Sequence, residues 1–238
     1  MGYHMIVDFF GLPGSGKSVL SHLVAEQLKK VGYTVNEVSY NMDHYHGKKI
    51  RTLLKVKYTI LLLVYYPQIF FHLFITIIRK RQSLLSVNFY SYLFNIGYKV
   101  YEVKHNETAD IIIFDEGFCQ SVLSLCYKKK DIFSIEILNT IESLLGKNVN
   151  IEYIFVKTDF HTIKQRLVNR HDGNSRFERL EENDMKRMFD EQMQLCMLLP
   201  YSQLIENNEG QNLFNISKDL SMEIKYRTED LRRSDVII

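Results

Sequence analysis

The sequence contains no tryptophan, only three prolines and only three cysteines in 238 residues. Cys119, Cys126 and Cys196 have no metal-site spacing and are odd in number, which argues against both a disulfide framework and a cysteine zinc site and favours a reducing compartment. The scarcity of proline and the lack of low-complexity tracts also argue against a flexible linker between domains. We therefore expect a single domain over residues 1–238.

The chain also has no large excess of positive or of negative charge. The formal net charge of +2 is too small to favour a nucleic-acid partner on electrostatic grounds. Apolar residues make up 46% of the chain and aromatic residues 13%, which suits a packed core rather than a disordered chain. A first apolar strand begins at residue 5, so we expect no secretion signal before it and a cytoplasmic protein.

The clearest positive feature is a phosphate-binding loop. Residues 11–18, GLPGSGKS, match the pattern G-x-x-x-x-G-K-[S/T] at every fixed position, between a strand pattern at 5–10 and a helix pattern at 19–31. The backbone N–H groups of such a loop and the following helix N-terminus attract phosphate. The sequence therefore predicts that ATP is bound by Gly11, Pro13, Gly14, Ser15, Gly16, Lys17, Ser18 and Val19.

Two loop side chains and one distant acid complete the expected triphosphate site. Lys17 should reach the β- and γ-phosphates, and the Ser18 hydroxyl should bind Mg²⁺. Residues 109–117 form an apolar, β-branched run that ends in acids, the pattern of a central parallel strand. Its tip should lie beside the phosphate loop, so that Asp115 would share Mg²⁺ with Ser18 and Glu116 would follow at the same rim.

The remaining pattern predicts further strands at 33–38, 151–156 and 212–216. Residues 39–47 read as a polar, aromatic loop at the carboxyl end of the second strand, where ligands bind in doubly wound sheets. Asp43 in this loop is a candidate substrate contact or general base. The alternative is a solvated turn aspartate.

Four arginines surround a turn in the last third of the chain. The planar guanidinium suits a phosphoryl group in transfer, and a flap that closes can deliver it while excluding water. We expect a lid over residues 170–182, and the alternative is a solvated helical face with Arg–Glu pairs. The candidate catalytic arginines are Arg170, Arg176 and Arg179; the fourth, outside the lid, is Arg166.

Residues 58–78 contain no Asp, Glu, Lys or Arg and could cross a bilayer on length alone, since a crossing takes about 20 residues. A single crossing would separate the phosphate loop from the strand at 109–117, although both should share one sheet. Two interpretations stay open. The segment forms a buried helical hairpin or homodimer interface, broken near Pro67, or it lies in the plane of a membrane surface with its basic flanks on anionic lipid.

The order of these parts resembles the nucleoside monophosphate kinase group of phosphate-loop proteins, and most closely thymidylate kinase. The match includes the loop, the Asp115 strand, the arginine-rich lid, and the closing strand and helix, which is most of the chain outside about 40–105. The resemblance implies an α/β fold with a parallel five-stranded sheet of order 2-3-1-4-5, helices on both sides and a lid that closes over ATP.

The chain departs from that family on the acceptor side. Thymidylate kinases typically carry Asp-Arg-Tyr where this chain has Asp115-Glu116-Gly117. An apolar block at 48–98 replaces the segment that binds the monophosphate, so residues 40–105 are expected to be a helical acceptor-binding or interface insertion. The acceptor is open among a nucleotide, a sugar and a lipid-linked sugar, with Glu116 or Asp43 as the base.

The leading hypothesis is therefore Mg²⁺-ATP-dependent phosphoryl transfer to a small-molecule acceptor. The alternative is a regulatory protein that binds ATP, hydrolyses it slowly and has no acceptor.

Overall fold

The structure, a computed structural model, describes residues 4–79, 87–106, 108–126, 134–146, 149–170, 177 and 180–235. Five strands form one parallel sheet of order β2-β3-β1-β4-β5. This order is the one predicted, and helices cover both faces of the sheet. The strands are β1 (His4–Phe10), β2 (Val35–Glu37), β3 (Ile111–Phe114), β4 (Val149–Lys157) and β5 (Gln203–Glu206).

The helices follow in chain order between and after these strands. They are α1 (Lys17–Lys30), α2 (Val38–Tyr45), α3 (Lys48–Tyr65), α4 (Pro67–Arg79), α5 (Val87–His105), α6 (Phe118–Cys126), α7 (Ser134–Leu145), α8 (Phe160–Arg170), α9 (Glu182–Leu198) and α10 (Leu213–Asp235).

Alternation along β1 divides the core into two layers. Met5, Val7 and Phe9 pack against α1 and α10, whereas Ile6 and Phe10 point to the opposite face, which α3 to α9 cover. All five side chains are essentially inaccessible to solvent. A strand with two buried faces needs such a near-continuous apolar run, which is why the sequence pattern predicted β1.

Parallel pairing brings four chain segments to one edge of the sheet. β1 lies between β3 and β4, and β5 pairs with the far side of β4. The residues that follow these strands are the phosphate loop after β1, Asp115 after β3, Thr158 after β4 and Asn207 after β5. The carboxyl edge of the sheet therefore collects the candidate site.

The strand predicted at 212–216 is wrong, because these residues begin α10. The Asn212 side-chain oxygen accepts hydrogen bonds from the N–H groups of Phe214 (3.0 Å) and Asn215 (3.3 Å), which caps the helix N-terminus. The fifth strand is instead β5, a short edge strand whose side chains are alternately half-buried and exposed.

The loop predicted at 39–47 is also wrong, since α2 occupies most of it. Val38 and Met42 are one helical turn apart and both are buried, so a helix satisfies the apolar positions that a loop would leave exposed. On a neighbouring face, the rings of Tyr40 and His44 stack with centroids 5.4 Å apart, also at helical spacing.

The uncharged segment 58–78 forms two helices, which meet at Tyr66 and Pro67 as the predicted break requires. Leu62, Leu73 and Ile77 are buried in the layer that contains α5. In the described part of the chain, no helix combines the length and the apolarity that a membrane crossing needs.

Candidate functional site

The phosphate loop turns from β1 into α1 and is held from behind by three side chains. The carbonyl oxygen of Ser15 accepts hydrogen bonds from Asn207 Nδ2 (2.6 Å), from Thr158 Oγ1 (3.1 Å) and from the Arg166 guanidinium (3.4 Å). Arg166 also donates to the carbonyl of Gly14 at 3.4 Å and to Asn207 Oδ1 at 3.3 Å. The ends of β4 and β5 and the first turns of α8 thus fix the shape of the loop.

These three anchors were not among the predicted site residues. Thr158 belongs to none of the motifs described above, and Arg166 was noted only as the arginine of the cluster that lies outside the predicted lid. Asn207 follows a strand that the sequence pattern placed elsewhere. Its position after β5 would have been the one available signal, because residues after parallel strands gather at the ligand edge.

Two features of the loop fit a bound phosphate. Gly16 has φ +87°, and a Cβ on it would lie 2.4 Å from Asn207 Nδ2, so a side chain there is excluded both by conformation and by space. Ser15 Oγ is buried and has no hydrogen-bond partner among the described residues. A buried hydroxyl without a partner is costly, and a phosphate oxygen cradled by the loop would supply one.

The acids lie where the sequence placed them, directly after β3. Asp115 is buried and accepts a hydrogen bond from the Ser39 hydroxyl at the start of α2. The same hydroxyl accepts a hydrogen bond from the Asp115 N–H at 3.0 Å. Glu116 is exposed, and its carboxylate lies 3.8 Å from the Lys17 ammonium. The turn after β3 and the phosphate loop are therefore in direct electrostatic contact.

Ser18 and Asp115 border the same cavity, and both offer the hard oxygen ligands that Mg²⁺ prefers. Among the residues that the structure describes, no group of three or more His, Cys, Asp or Glu side chains could hold a metal by themselves. The donor set fits an ion that takes most of its ligands from water and nucleotide phosphate, as Mg²⁺ does in such sites.

The cavity has a volume of about 860 Å³ and extends from the phosphate loop toward α5. Its far wall is rich in amide and hydroxyl side chains and contains two lysines. These residues are Lys55 of α3, Asn88, Ser91, Tyr92, Asn95, Tyr98 and Lys99 of α5, and Gln120, Ser121 and Ser124 of α6.

Lys55 is the cation of that wall with the fewest protein partners. Its ammonium donates a hydrogen bond to Asn95 Oδ1 (2.7 Å) and lies 5.2 Å from the centre of the Tyr98 ring. Burial lowers the pKa of Lys55, with Asp43 and Glu116 opposing the shift. An anionic or strongly polar ligand would offset this desolvation.

Asp43 borders the cavity but is engaged elsewhere. It lies on α2, and its carboxylate accepts a hydrogen bond from Arg51 of α3 in an exposed ion pair. Glu116, by contrast, lies beside Lys17 of the phosphate loop.

None of the three arginines predicted as catalytic has a described side chain. Arg176 and Arg179 lie outside the described residues, and so does the side chain of Arg170 at the end of α8. The role of these arginines stays a prediction.

The exposed side chain of Val19 borders the cavity with Pro13 and Gly14.

No protein-family model and no curated protein sequence matches the chain. Among solved structures, it is similar to the YorR protein of Bacillus subtilis in complex with phosphorylated GDP, with a TM-score of 0.50 at 15% identity, covering 94% of this chain and 98% of that one. It is also similar to thymidylate kinase from Ehrlichia chaffeensis (TM-score 0.46, 13% identity, 94% and 99% covered). A third match is deoxyadenosine kinase from M. mycoides with dCMP and dCDP bound (0.44, 15%, 92% and 97%). At these identities the similarity is one of fold.

Proposed function

We propose that this protein is a Mg²⁺-ATP-dependent kinase that transfers a phosphoryl group to a small, polar, nucleoside- or nucleotide-like acceptor. The observation that carries the proposal is the single cavity in which the phosphate loop and the Asp115–Glu116 turn face a wall of amide and hydroxyl side chains. A donor site and a polar acceptor site that share one cavity suit direct phosphoryl transfer.

The donor side would work through charge and backbone amides. Lys17 and the loop N–H groups would hold the β- and γ-phosphates, and the γ-phosphate would replace Glu116 as the partner of Lys17. Ser18 and Asp115 would hold Mg²⁺, which when bound neutralises charge on the phosphates. Release from Lys17 would leave Glu116 free to accept the proton of the acceptor hydroxyl, a role for which its position favours it over Asp43.

The acceptor wall argues against a lipid-linked substrate. In the described part of the chain, no residue from Val56 to Arg79 borders the cavity, so the uncharged segment 58–78 does not form its wall, and α3 contributes only Lys55. Apart from Leu123, the side chains that border it from α5 and α6 are hydrogen-bond donors and acceptors, which suit sugar hydroxyls and base edges. The similar solved structures either have a nucleotide bound or are named as kinases of a nucleoside or nucleotide, which is in keeping with this acceptor class.

The test is ADP formation from Mg²⁺-ATP with separate pools of nucleosides, nucleoside monophosphates and sugars. We expect ADP to form only when one pool is added. Lys17→Ala should lower the rate by about a hundredfold or more, because it removes the charge that faces the transferred group.

Lys30→Ala at the exposed end of the same helix is the matched control and should keep the rate. ADP formation that is slow and insensitive to every pool would contradict the kinase proposal and favour the regulatory ATPase.

A further inference from the structure

Two buried ionisable groups, Asp8 and Lys99, lie directly beneath the turn that carries Asp115 and Glu116. Asp8 is in the middle of β1 and Lys99 is in α5, and both are almost inaccessible to solvent. Neither was singled out by a motif. A buried carboxylate and a buried ammonium are costly to maintain, so their contacts call for an explanation.

Asp8 holds the turn from the sheet side. Its Oδ2 accepts hydrogen bonds from the N–H groups of Phe118 (2.7 Å) and Cys119 (3.1 Å), the first residues of α6. A carboxylate at this place caps the helix from a neighbouring strand and complements its dipole. The direction in which α6 leaves the turn is thereby fixed.

Lys99 holds the turn from α5. Its ammonium donates to the carbonyl oxygen of Gly117 (2.7 Å) and to Ser121 Oγ (2.7 Å). Ser121 Oγ also donates to the carbonyl of Gly117 at 3.0 Å, so these three groups close a small network. Because Lys99 belongs to α5, the helix that forms the acceptor wall is tied directly to the turn after β3.

Gly117 contacts both groups, because its carbonyl accepts from Lys99 and a side chain on it would collide with Asp8. A Cβ on this residue would lie 2.1 Å from Asp8 Oδ1, an impossible contact. The backbone that follows Glu116 can therefore take only the path that Asp8 and Lys99 allow.

We propose that Asp8 and Lys99 are positioning residues that hold the turn after β3 from β1 and from α5 and so aim the Asp115 carboxylate at the metal of the bound nucleotide. Resting on the proposed function, the inference assigns part of the Mg²⁺ dependence of ATP binding to these contacts behind the turn and not to Asp115 alone.

The test compares ATP affinity in Mg²⁺ with ATP affinity in EDTA by calorimetry. Lys17 and the loop amides contribute to both, whereas Asp115 contributes only with the metal. In Lys99→Met we expect the ratio of the two affinities to fall at least tenfold, while the affinity in EDTA changes little. Ser121→Ala removes one of the two acceptors of Lys99 and should lower the ratio by a smaller factor.

Lys104→Met is the matched control. Lys104 lies on the same helix and donates to the carbonyl of Leu145 (2.6 Å), away from the turn. This variant should keep the wild-type ratio even if it melts at a lower temperature. A purely structural role for Lys99 would lower the melting temperature of both lysine variants and leave both ratios intact.

The outcomes are distinct. A folded Lys99→Met variant with the wild-type ratio overturns the inference, and if that variant does not fold, an unchanged ratio in Ser121→Ala does so. If the wild-type protein itself gains no ATP affinity from Mg²⁺, the proposed function fails and the inference fails with it.

Discussion

Asn207 fastens the phosphate loop although it lies almost two hundred residues further along the chain. Its side-chain amide donates to the Ser15 carbonyl at 2.6 Å, and its Oδ1 accepts from Arg166. The residue is fully buried, so neither bond competes with water. The loop N–H groups can face a phosphate only if the carbonyls on the other side of the loop are held in this way.

We expect Asn207→Ala to weaken ATP binding by about tenfold, the equivalent of roughly one strong hydrogen bond at 1.4 kcal/mol. The loop would keep Thr158 and Arg166 as anchors, and for this reason we expect a reduction rather than a loss. Calorimetric titration with ATP gives the affinity directly.

Asn208→Ala is the control for that experiment. Its side-chain oxygen accepts from the Asp159 N–H at 3.0 Å and does not hold the loop. Equal affinity losses in the two variants would mean that Asn207 acts through general stability and not through the loop.

Among individual residues, the sequence pattern predicted those whose spacing is fixed by the geometry of phosphate binding. Lys17 and Ser18 stand at fixed distances from the loop glycines, and Asp115 ends an apolar strand. Thr158 and Asn207 could not be read in the same way, because a side chain that bonds a carbonyl 143 or 192 residues away leaves no local pattern.

Helices α3 and α5 pack closely where Gly97 faces Thr59. A Cβ on Gly97 would lie 2.8 Å from Thr59 Oγ1 and 2.9 Å from its Cγ2. Both positions are buried. The absent side chain therefore lets the two helices carry Lys55 and Asn95 to within hydrogen-bond distance at the cavity wall.

We expect Gly97→Ala to destabilise the protein, because overpacking costs about 1–3 kcal/mol and helix propensity returns only about 1 kcal/mol. Thr59→Ala removes the two atoms in collision, so the double variant should be more stable than the sum of the single changes predicts. Urea unfolding of the four proteins measures this coupling.

Gly47→Ala serves as the reference for added volume, since a Cβ there meets nothing within 4 Å. Additive effects of the Gly97 and Thr59 changes would show that the two helices can separate without cost.

Element order was predictable where an element is long or buried on two faces, as β1, α1 and β3 are. β5 failed this condition, because an edge strand of four residues with half-exposed side chains carries little apolar signal. The apolar residues Leu213, Ile216, Leu220 and Ile224 recur at helical spacing and pack in the layer of α1. Their first turn alone resembled a strand, and the cap from Asn212 decides between the two.

At the centre of the molecule, Asp8 is buried on the central strand of the sheet, and this burial disfavours its charged form. Burial raises the pKa of Asp8 from 3.8 to about 7. The shift is opposed by the backbone N–H groups that donate hydrogen bonds to Asp8 and by the positive charge of Lys99. Among the described residues, the charged or titratable groups that interact with Asp8 include Lys99, Cys119 and Tyr153. Burial lowers the pKa of Lys99 only to about 8 and raises the pKa values of Cys119 and Tyr153, so among these groups Asp8 alone titrates between pH 4 and 7.

The sign of the effect follows from proton linkage. Between pH 4 and 7 the unfolded chain has lost the Asp8 proton while the folded protein retains it, so the free energy of unfolding falls as the pH rises. The slope for one group is at most about 1.4 kcal/mol per pH unit. In Asp8→Asn the amide cannot ionise, so its stability relative to wild type should rise from pH 4 to 7 and stay level from there to pH 8.

Urea unfolding of both proteins at unit steps of pH measures this difference in stability, in which the contributions of groups common to both proteins cancel.

Asp110→Asn is a control of opposite kind: hydrogen bonds from Thr34 and the charge of Arg232 lower the pKa of Asp110 despite its desolvation. The stability that Asp110 contributes is lost only below about pH 4, so that variant should differ from wild type by a constant amount between pH 4 and 7. Parallel curves for Asp8→Asn and wild type would mean that Asp8 ionises in the folded protein as it does in water, and that the centre of the sheet carries no such cost.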